Sequence, residues 1–156
     1  MNTIKQSKEH IMKPIKFIIE NKKAVIPTKA HSTDIGYDLT AINIYKKISE
    51  HVSLYDTGIK VIPPDGYYIE IVPRSSISKT GYMLANSVGT IDPDYTGTLK
   101  IALIKVDTSM PDITIPFKLC QMILRKAERS YLEEVFNLNK TIRGDGGFGS
   151  SDLKKN

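Results

Sequence analysis

What most constrains this chain is a rhythm of short Ile- and Val-rich segments broken by turn residues, with almost no helical periodicity along its length. Ile15–Glu20, Val52–Asp56, Tyr67–Val72, Thr98–Val106, Ile113–Phe117 and Cys120–Arg125 are apolar runs of strand length, several alternating apolar and polar as half-buried strands do. Turn signals at Pro27, Gly36, Pro63–Gly66, Pro93–Gly97 and Pro111 separate them, and this spacing predicts an all-β sandwich or barrel. One short helical turn is expected at Arg74–Lys79. The 156 residues suffice for one domain with a real core, and no internal repeat divides them.

Composition narrows the function classes. Hydrophobic residues are 40% and charged residues 25%, as in soluble globular proteins, and no apolar stretch is long enough for a membrane span. Lys5, Lys8 and Lys13 have no apolar block behind them, so no secretory signal is expected. The single Cys120 forms neither an internal disulfide nor a CxxC zinc site, and an intracellular, reducing compartment is expected. Of the 22 basic residues behind the net charge of +5, only Arg74, Arg125, Arg129 and Arg143 are arginines. The scattered lysines read as a solvated surface rather than a nucleic-acid patch. Arg74 and Arg143, by contrast, sit in Gly/Ser-rich segments, where planar forks suit phosphate.

Four segments stand out from the strand pattern, each with an ordinary structural reading beside a functional one. Asp34–Leu39, DIGYDL, reads as a Gly turn leading into a strand. Val72–Gly81, VPRSSISKTG, reads as a capped helix start, yet it gathers Arg74 with the hydroxyls of Ser75, Ser76 and Ser78 at a chain reversal able to hold an anion. Asn86–Gly97, NSVGTIDPDYTG, fits a β-hairpin with Asp92-Pro93-Asp94-Tyr95 at its tip. That is ordinary turn chemistry, but it would also present an amide, carboxylates and a ring to one small ligand. Arg143–Asp152, RGDGGFGSSD, holds four of the ten glycines. It is no P-loop, because it lacks GK[ST] and has no strand before it, and its RGD triplet reads as a chance match in a cytosolic chain. A plain tail has no need of Arg143, Phe148 and Ser150 together. A flexible arm closing over a ligand does.

Together these segments resemble the trimeric dUTP pyrophosphatase (dUTPase) family, from about Ile15 to Ser151. The family's five motifs occur in order: DIGYDL, PRSSIS, NSVGTIDPDYTG, PFKLCQMIL around Gln121, and RGDGGFGSS. The resemblance implies a jelly-roll-like β-barrel, a homotrimer whose active sites draw on more than one subunit, and Mg²⁺-assisted hydrolysis of dUTP to dUMP and diphosphate. Mg²⁺ keeps several waters and is held mainly by the substrate phosphates, so no direct protein ligand is implied. By position, Asp92 is the catalytic base, Asn86 and the backbone around Gly89 read the uracil edge, and Tyr95 lies against the deoxyribose. Ser75, Ser76 and Gln121 contact the phosphates, Arg143 forks the γ-phosphate, and Phe148 stacks on uracil in an arm that includes Gly149, Ser150 and Ser151. Arg74 and Asp38 form a supporting pair. The implied organisation is an N-terminal extension at 1–13, a barrel at 14–136 and a flexible C-terminal arm at 137–156. Ile35, Ser151 and Asp152 depart from the family pattern, and Asp152 adds negative charge close to a phosphate site.

Two rivals share parts of this reading. dCTP deaminases have the same fold but need a glutamate on the strand after the third motif, where this chain has Ala102. A non-catalytic binding or regulatory protein of the same fold would not need the full set of motif residues.

Overall fold

The computed structural model of the chain describes residues 12–147. Its strands are β1 (Lys16–Ile19), β2 (Tyr37–Ala41), β3 (Asn43–Lys47), β4 (Val52–Asp56), β5 (Ile59–Ile62), β6 (Tyr67–Pro73), β7 (Tyr82–Leu84), β8 (Gly89–Ile91), β9 (Lys100–Lys105) and β10 (Phe117–Lys126). A 3₁₀ helix at Ser75–Lys79 follows β6, where a helical turn is expected from the sequence. Two antiparallel four-stranded sheets, ordered β2-β10-β6-β8 and β3-β4-β9-β7, face each other, with β1 and β5 paired beside them. This is the expected all-β, jelly-roll-like architecture.

The core follows from strand alternation. Leu39, Ala41, Ile69, Ile71, Cys120 and Met122 point inward from one sheet, and Tyr55, Tyr82, Leu84, Ile101 and Leu103 from the other. Tyr55 meets Phe117 edge to face at 4.9 Å, and the buried Thr57 hydroxyl donates to the Leu99 carbonyl at 3.0 Å, so no polar atom of that side chain is left unpaired.

Two local expectations are corrected. Ile113–Phe117 is not a strand: only Phe117 is extended in a sheet, as the first residue of β10. Pro111 precedes that run and Pro116 interrupts it, and proline brings no N–H to a ladder. Asn86–Gly97 does not close as a hairpin either, because β8 pairs with β6 while β9 pairs with β4 and β7. Asp92–Tyr95 does turn, with Tyr95 N–H donating to the Asp92 carbonyl at 3.1 Å, but the turn is a corner between the two sheets.

Cys120 lies at 0% exposure in this core, and burial pushes its thiol up to about 12. Iodoacetamide is therefore expected to leave the native protein unlabelled at neutral pH and to label it on unfolding; rapid native labelling would contradict the packing. The folded thiol titrates above its unfolded value of about 8.5, so its contribution to stability is complete below about pH 8.5 and declines as pH rises toward the folded value. Cys120→Ala should flatten that alkaline decline in Tm.

Candidate active site

The first cluster lies where β2 begins and β6 ends on either side of β10. Register places Asp38 opposite Gln121, Gln121 opposite Val72, and Cys120 opposite Pro73. Arg74, just beyond β6, is fixed three ways. Its N–H donates to the Leu119 carbonyl at 2.8 Å, one terminal guanidinium nitrogen donates to the Lys118 carbonyl at 2.9 Å, and Nε meets Asp38 Oδ1 at 2.8 Å. Asp38 Oδ2 has a second cation, Lys118 Nζ, at 4.0 Å. Gln121 Nε2 donates to the Pro73 carbonyl at 3.3 Å. Asp38, Arg74 and Gln121 thus converge at the mouth of the 3₁₀ turn that carries Ser75 and Ser76.

The serines do not cap that turn. Arg74 occupies the cap position without a side-chain bond to the helix, so the first N–H groups of the turn have no intrahelical acceptor and point out of it. Ser78 Oγ donates back to the Ser75 carbonyl at 2.7 Å. The Ser76 hydroxyl is buried and has no partner among the described residues. A buried hydroxyl beside open N–H groups and an arginine makes a cradle for an anion.

Gly36, read from sequence only as a turn signal in the first motif, shapes this cradle. A Cβ there would lie 2.0 Å from Gln121 Oε1 and 2.7 Å from Gln121 Cδ, so the Gln121 side chain lies directly over this bare Cα. The clash falls on the end of a flexible side chain, which can swing away. Gly36→Ala should therefore keep the fold, with Tm within a few degrees, while displacing Gln121 and lowering kcat/KM by roughly tenfold or more, the worth of one hydrogen bond to a charged group. Unchanged kinetics would remove Gln121 from the site.

The second cluster is the segment around β8. Ser87 takes a left-handed φ of 61°, and Val88 N–H donates to the Asn86 carbonyl at 2.6 Å. This tight turn lays the Asn86 amide over Gly89, where a Cβ would stand 3.3 Å from Asn86 Nδ2 and 3.2 Å from Ile71 Cβ. At the far end of β8, Tyr95 donates its hydroxyl to the Thr98 carbonyl at 3.1 Å and rests on Gly97, leaving a half-exposed ring. Asp92 is exposed and borders a cavity of about 500 Å³ with Tyr68, Thr90, Pro93, Glu128 and Arg129. Tyr68 is held by Glu70 at 2.8 Å, and Glu70 by Arg125 at 2.7 Å. The Arg125 bond, helped by that of Tyr68, holds the Glu70 carboxyl below its usual range.

Within one chain Asp92 stands apart from the cradle, although Gly89 pairs with Ile71, so the Asn86 end of this segment lies nearer to it. Ile91 pairs with Ile69, so Asp92 stands level with Tyr68, whereas the cradle begins past Pro73 at the other end of β6. Five residues of strand separate them, about 17 Å at the rise of an extended chain. Arg143, singled out for phosphate, donates from Nε to the Gly146 carbonyl at 3.0 Å in a local turn. Phe148, Gly149, Ser150 and Ser151 lie outside the described residues.

Comparison with known proteins bears on this geometry. A family profile described as dUTPase matches residues 22–152. The chain belongs to the dUTPase family. It is 40% identical over 139 residues to the deoxyuridine 5'-triphosphate nucleotidohydrolase of Rickettsia felis, covering 86% of this chain and 93% of that protein. With the enzyme of the same description from Corynebacterium glutamicum it shares 36% identity, covering 88% and 93%. The fold is similar to a dUTPase of Staphylococcus bacteriophage 80alpha solved with dUpNHpp, at a TM-score of 0.69 and 20% identity, covering 90% of this chain and 99% of that one. It is also similar to the dUTPase of phage phi11 of S. aureus, described with a structural Mg(II) ion, at 0.67 and 19%, covering 82% and 100%. Among the described residues, no helix is long and apolar enough to cross a membrane.

Proposed function

We propose that this protein is a dUTP diphosphatase that hydrolyses dUTP to dUMP and diphosphate, keeping uracil out of DNA and supplying dUMP for thymidylate synthesis. The observation that carries the reading is a phosphate-type cradle of Asp38, Arg74, Ser75, Ser76 and Gln121, together with a separate carboxylate corner at Asp92, in a chain of the dUTPase family. The Asn86 amide and the backbone around Gly89 pair with the uracil edge. Cytosine reverses the donors there and leaves groups unpaired. The Tyr95 ring packs against the deoxyribose and crowds a 2′-hydroxyl. Asp92 orients a water for attack on the α-phosphorus and takes its proton; for a carboxylate, positioning supplies much of the effect.

The active unit is a homotrimer. Asp92 and the cradle are about 17 Å apart along one chain. A substrate that touches both bridges two copies, with Asn86, Asp92 and Tyr95 from one and the cradle from the next. The C-terminal arm, 137–156 in the division 1–13, 14–136 and 137–156, closes the site with Arg143 on the γ-phosphate, Phe148 on the base, and Gly149, Ser150 and Ser151 beside them. Its described apolar residues are compatible with such a role, since Leu138 and Ile142 stand clear of the barrel.

Mg²⁺ fits as a cofactor that arrives with the triphosphate. No three His, Cys, Asp or Glu side chains converge among the described residues, and Asp38, already bonded to Arg74, is a carboxylate suited to a metal-bound water rather than the metal itself. Bound there, the ion would neutralise phosphate charge. The protein acts in an intracellular, reducing compartment. Diphosphate release with dUTP, dCTP, dTTP and UTP tests the whole reading: strong preference for dUTP supports it, while ammonia release from dCTP, or no turnover with any nucleotide, overturns it.

A further inference from the structure

We propose that Lys100 is a positioning residue for sugar selection: its ammonium fixes the Thr98 carbonyl that holds the Tyr95 hydroxyl, and so sets the ring that crowds a 2′-hydroxyl. This rests on the dUTP reading above, and on Tyr95 within it. Three observations carry it. The first is a shared acceptor. Tyr95 is 42% exposed, and its hydroxyl donates to the Thr98 carbonyl at 3.1 Å. Lys100 Nζ donates to the same oxygen at 3.2 Å and also to Thr98 Oγ1. A carbonyl oxygen has room for two donors, and both places are filled here. The other side of that peptide, the Leu99 N–H, donates to the Ile59 carbonyl at 2.7 Å, so the unit that receives the tyrosine is clamped at both ends.

The second is what holds the lysine. The register of β9 on β4 sets Lys100 opposite Asp56, and Nζ meets Asp56 Oδ1 at 3.3 Å. That oxygen also accepts from the Gly58 N–H at 3.1 Å, in a turn where Gly58 takes a left-handed φ of 66°. Both side chains are mostly buried, and the Tyr45 ring covers the ammonium with its centroid 4.4 Å from Nζ. A carboxylate, a carbonyl, a hydroxyl and a ring thus fix a head group that on an open surface would swing freely. The third is the freedom of the Tyr95 ring. It rests on the bare Cα of Gly97, which gives it no edge to stop against, and the bond to Thr98 is its one side-chain hydrogen bond among the described residues. A shifted acceptor therefore moves the wall against which a 2′-hydroxyl clashes, and discrimination by a clash is sensitive to small displacements.

The test reads kcat/KM for dUTP, UTP and dCTP in wild type, Lys100→Met, Tyr95→Phe and the double variant. Lys100→Met keeps the stem and should lower the preference for dUTP over UTP about fivefold, within the coupling usual for neighbouring groups. The preference for dUTP over dCTP, read at Asn86, should stay the same. Tyr95→Phe keeps the ring but removes the link, and should lower the sugar preference by at least as much. The double variant should be no worse than Tyr95→Phe, because the lysine acts through the hydroxyl; a lysine that only stabilises the fold would add its own loss. Asp56→Asn keeps the acceptor for the Gly58 N–H but weakens the hold on Lys100, and should shift the sugar preference in the same direction even where Lys100→Met folds poorly. Unchanged sugar preference in folded Lys100→Met, Asp56→Asn or Tyr95→Phe, equal loss toward dCTP, or additive losses in the double variant would overturn the proposal, while wild-type preference for dUTP leaves the main reading intact. A wild-type protein inert toward dUTP sinks both.

Discussion

Asp92→Asn is expected to lower kcat for dUTP by about two to four decades, the span usual for a general base, while a non-hydrolysable analogue still binds. The asparagine fills the same space at the exposed corner beside Tyr68 and Thr90, so neither sheet needs to move. What is lost is the acceptor for the proton of the attacking water. Calorimetric titration with the analogue separates the two effects. Turnover close to wild type would remove Asp92 from the chemistry, and lost binding with lost turnover would make it a substrate anchor instead.

Removal of residues 141–156 should abolish most activity and leave thermal stability nearly unchanged. In the described part of this segment, Thr141–Gly147, Ile142 is fully exposed at 109%, and the hydrogen bonds are local ones among Thr141, Arg143, Gly144 and Gly146. Losing this described part takes no packing from the core. Truncation does take Arg143, a charge-assisted fork for phosphate, and Phe148, a ring to shield the base from water. Gel filtration and a melting curve, run beside the diphosphate assay, distinguish a lost lid from a lost fold. Normal activity in the truncated protein would deny the arm any role.

The strands that alternate cleanly were legible in the sequence: Val52–Asp56 is found with those bounds, and Tyr67–Val72 gains only Pro73. Short strands were not. Tyr82–Leu84 and Gly89–Ile91 hold three residues each, too few for a period of two to declare itself, and they exist because β9 and β6 offer them free edges. The motif segments carried their own signal in glycine, serine and arginine outside the apolar rhythm, but the pairing of Arg74 with Asp38, found here at 2.8 Å, was implied only by the family resemblance. Gly36 was legible only as a turn signal, because its meaning at the site depends on Gln121, which is distant in sequence.

The separation of Asp92 from the cradle is the claim on which the catalytic account turns, and mixed oligomers test it most directly. Asp92→Asn chains and Arg74→Ala chains, each expected to be nearly inactive alone, are unfolded together at equal concentration, refolded, and assayed with dUTP. If one copy supplies Asp92 and the next supplies Arg74, about a quarter of the sites in random trimers contain both intact groups, and activity should return toward that fraction of wild type. Mixed trimers that form, as shown by mass spectrometry, yet remain as inactive as either parent would place both residues in a site within one chain and contradict the account.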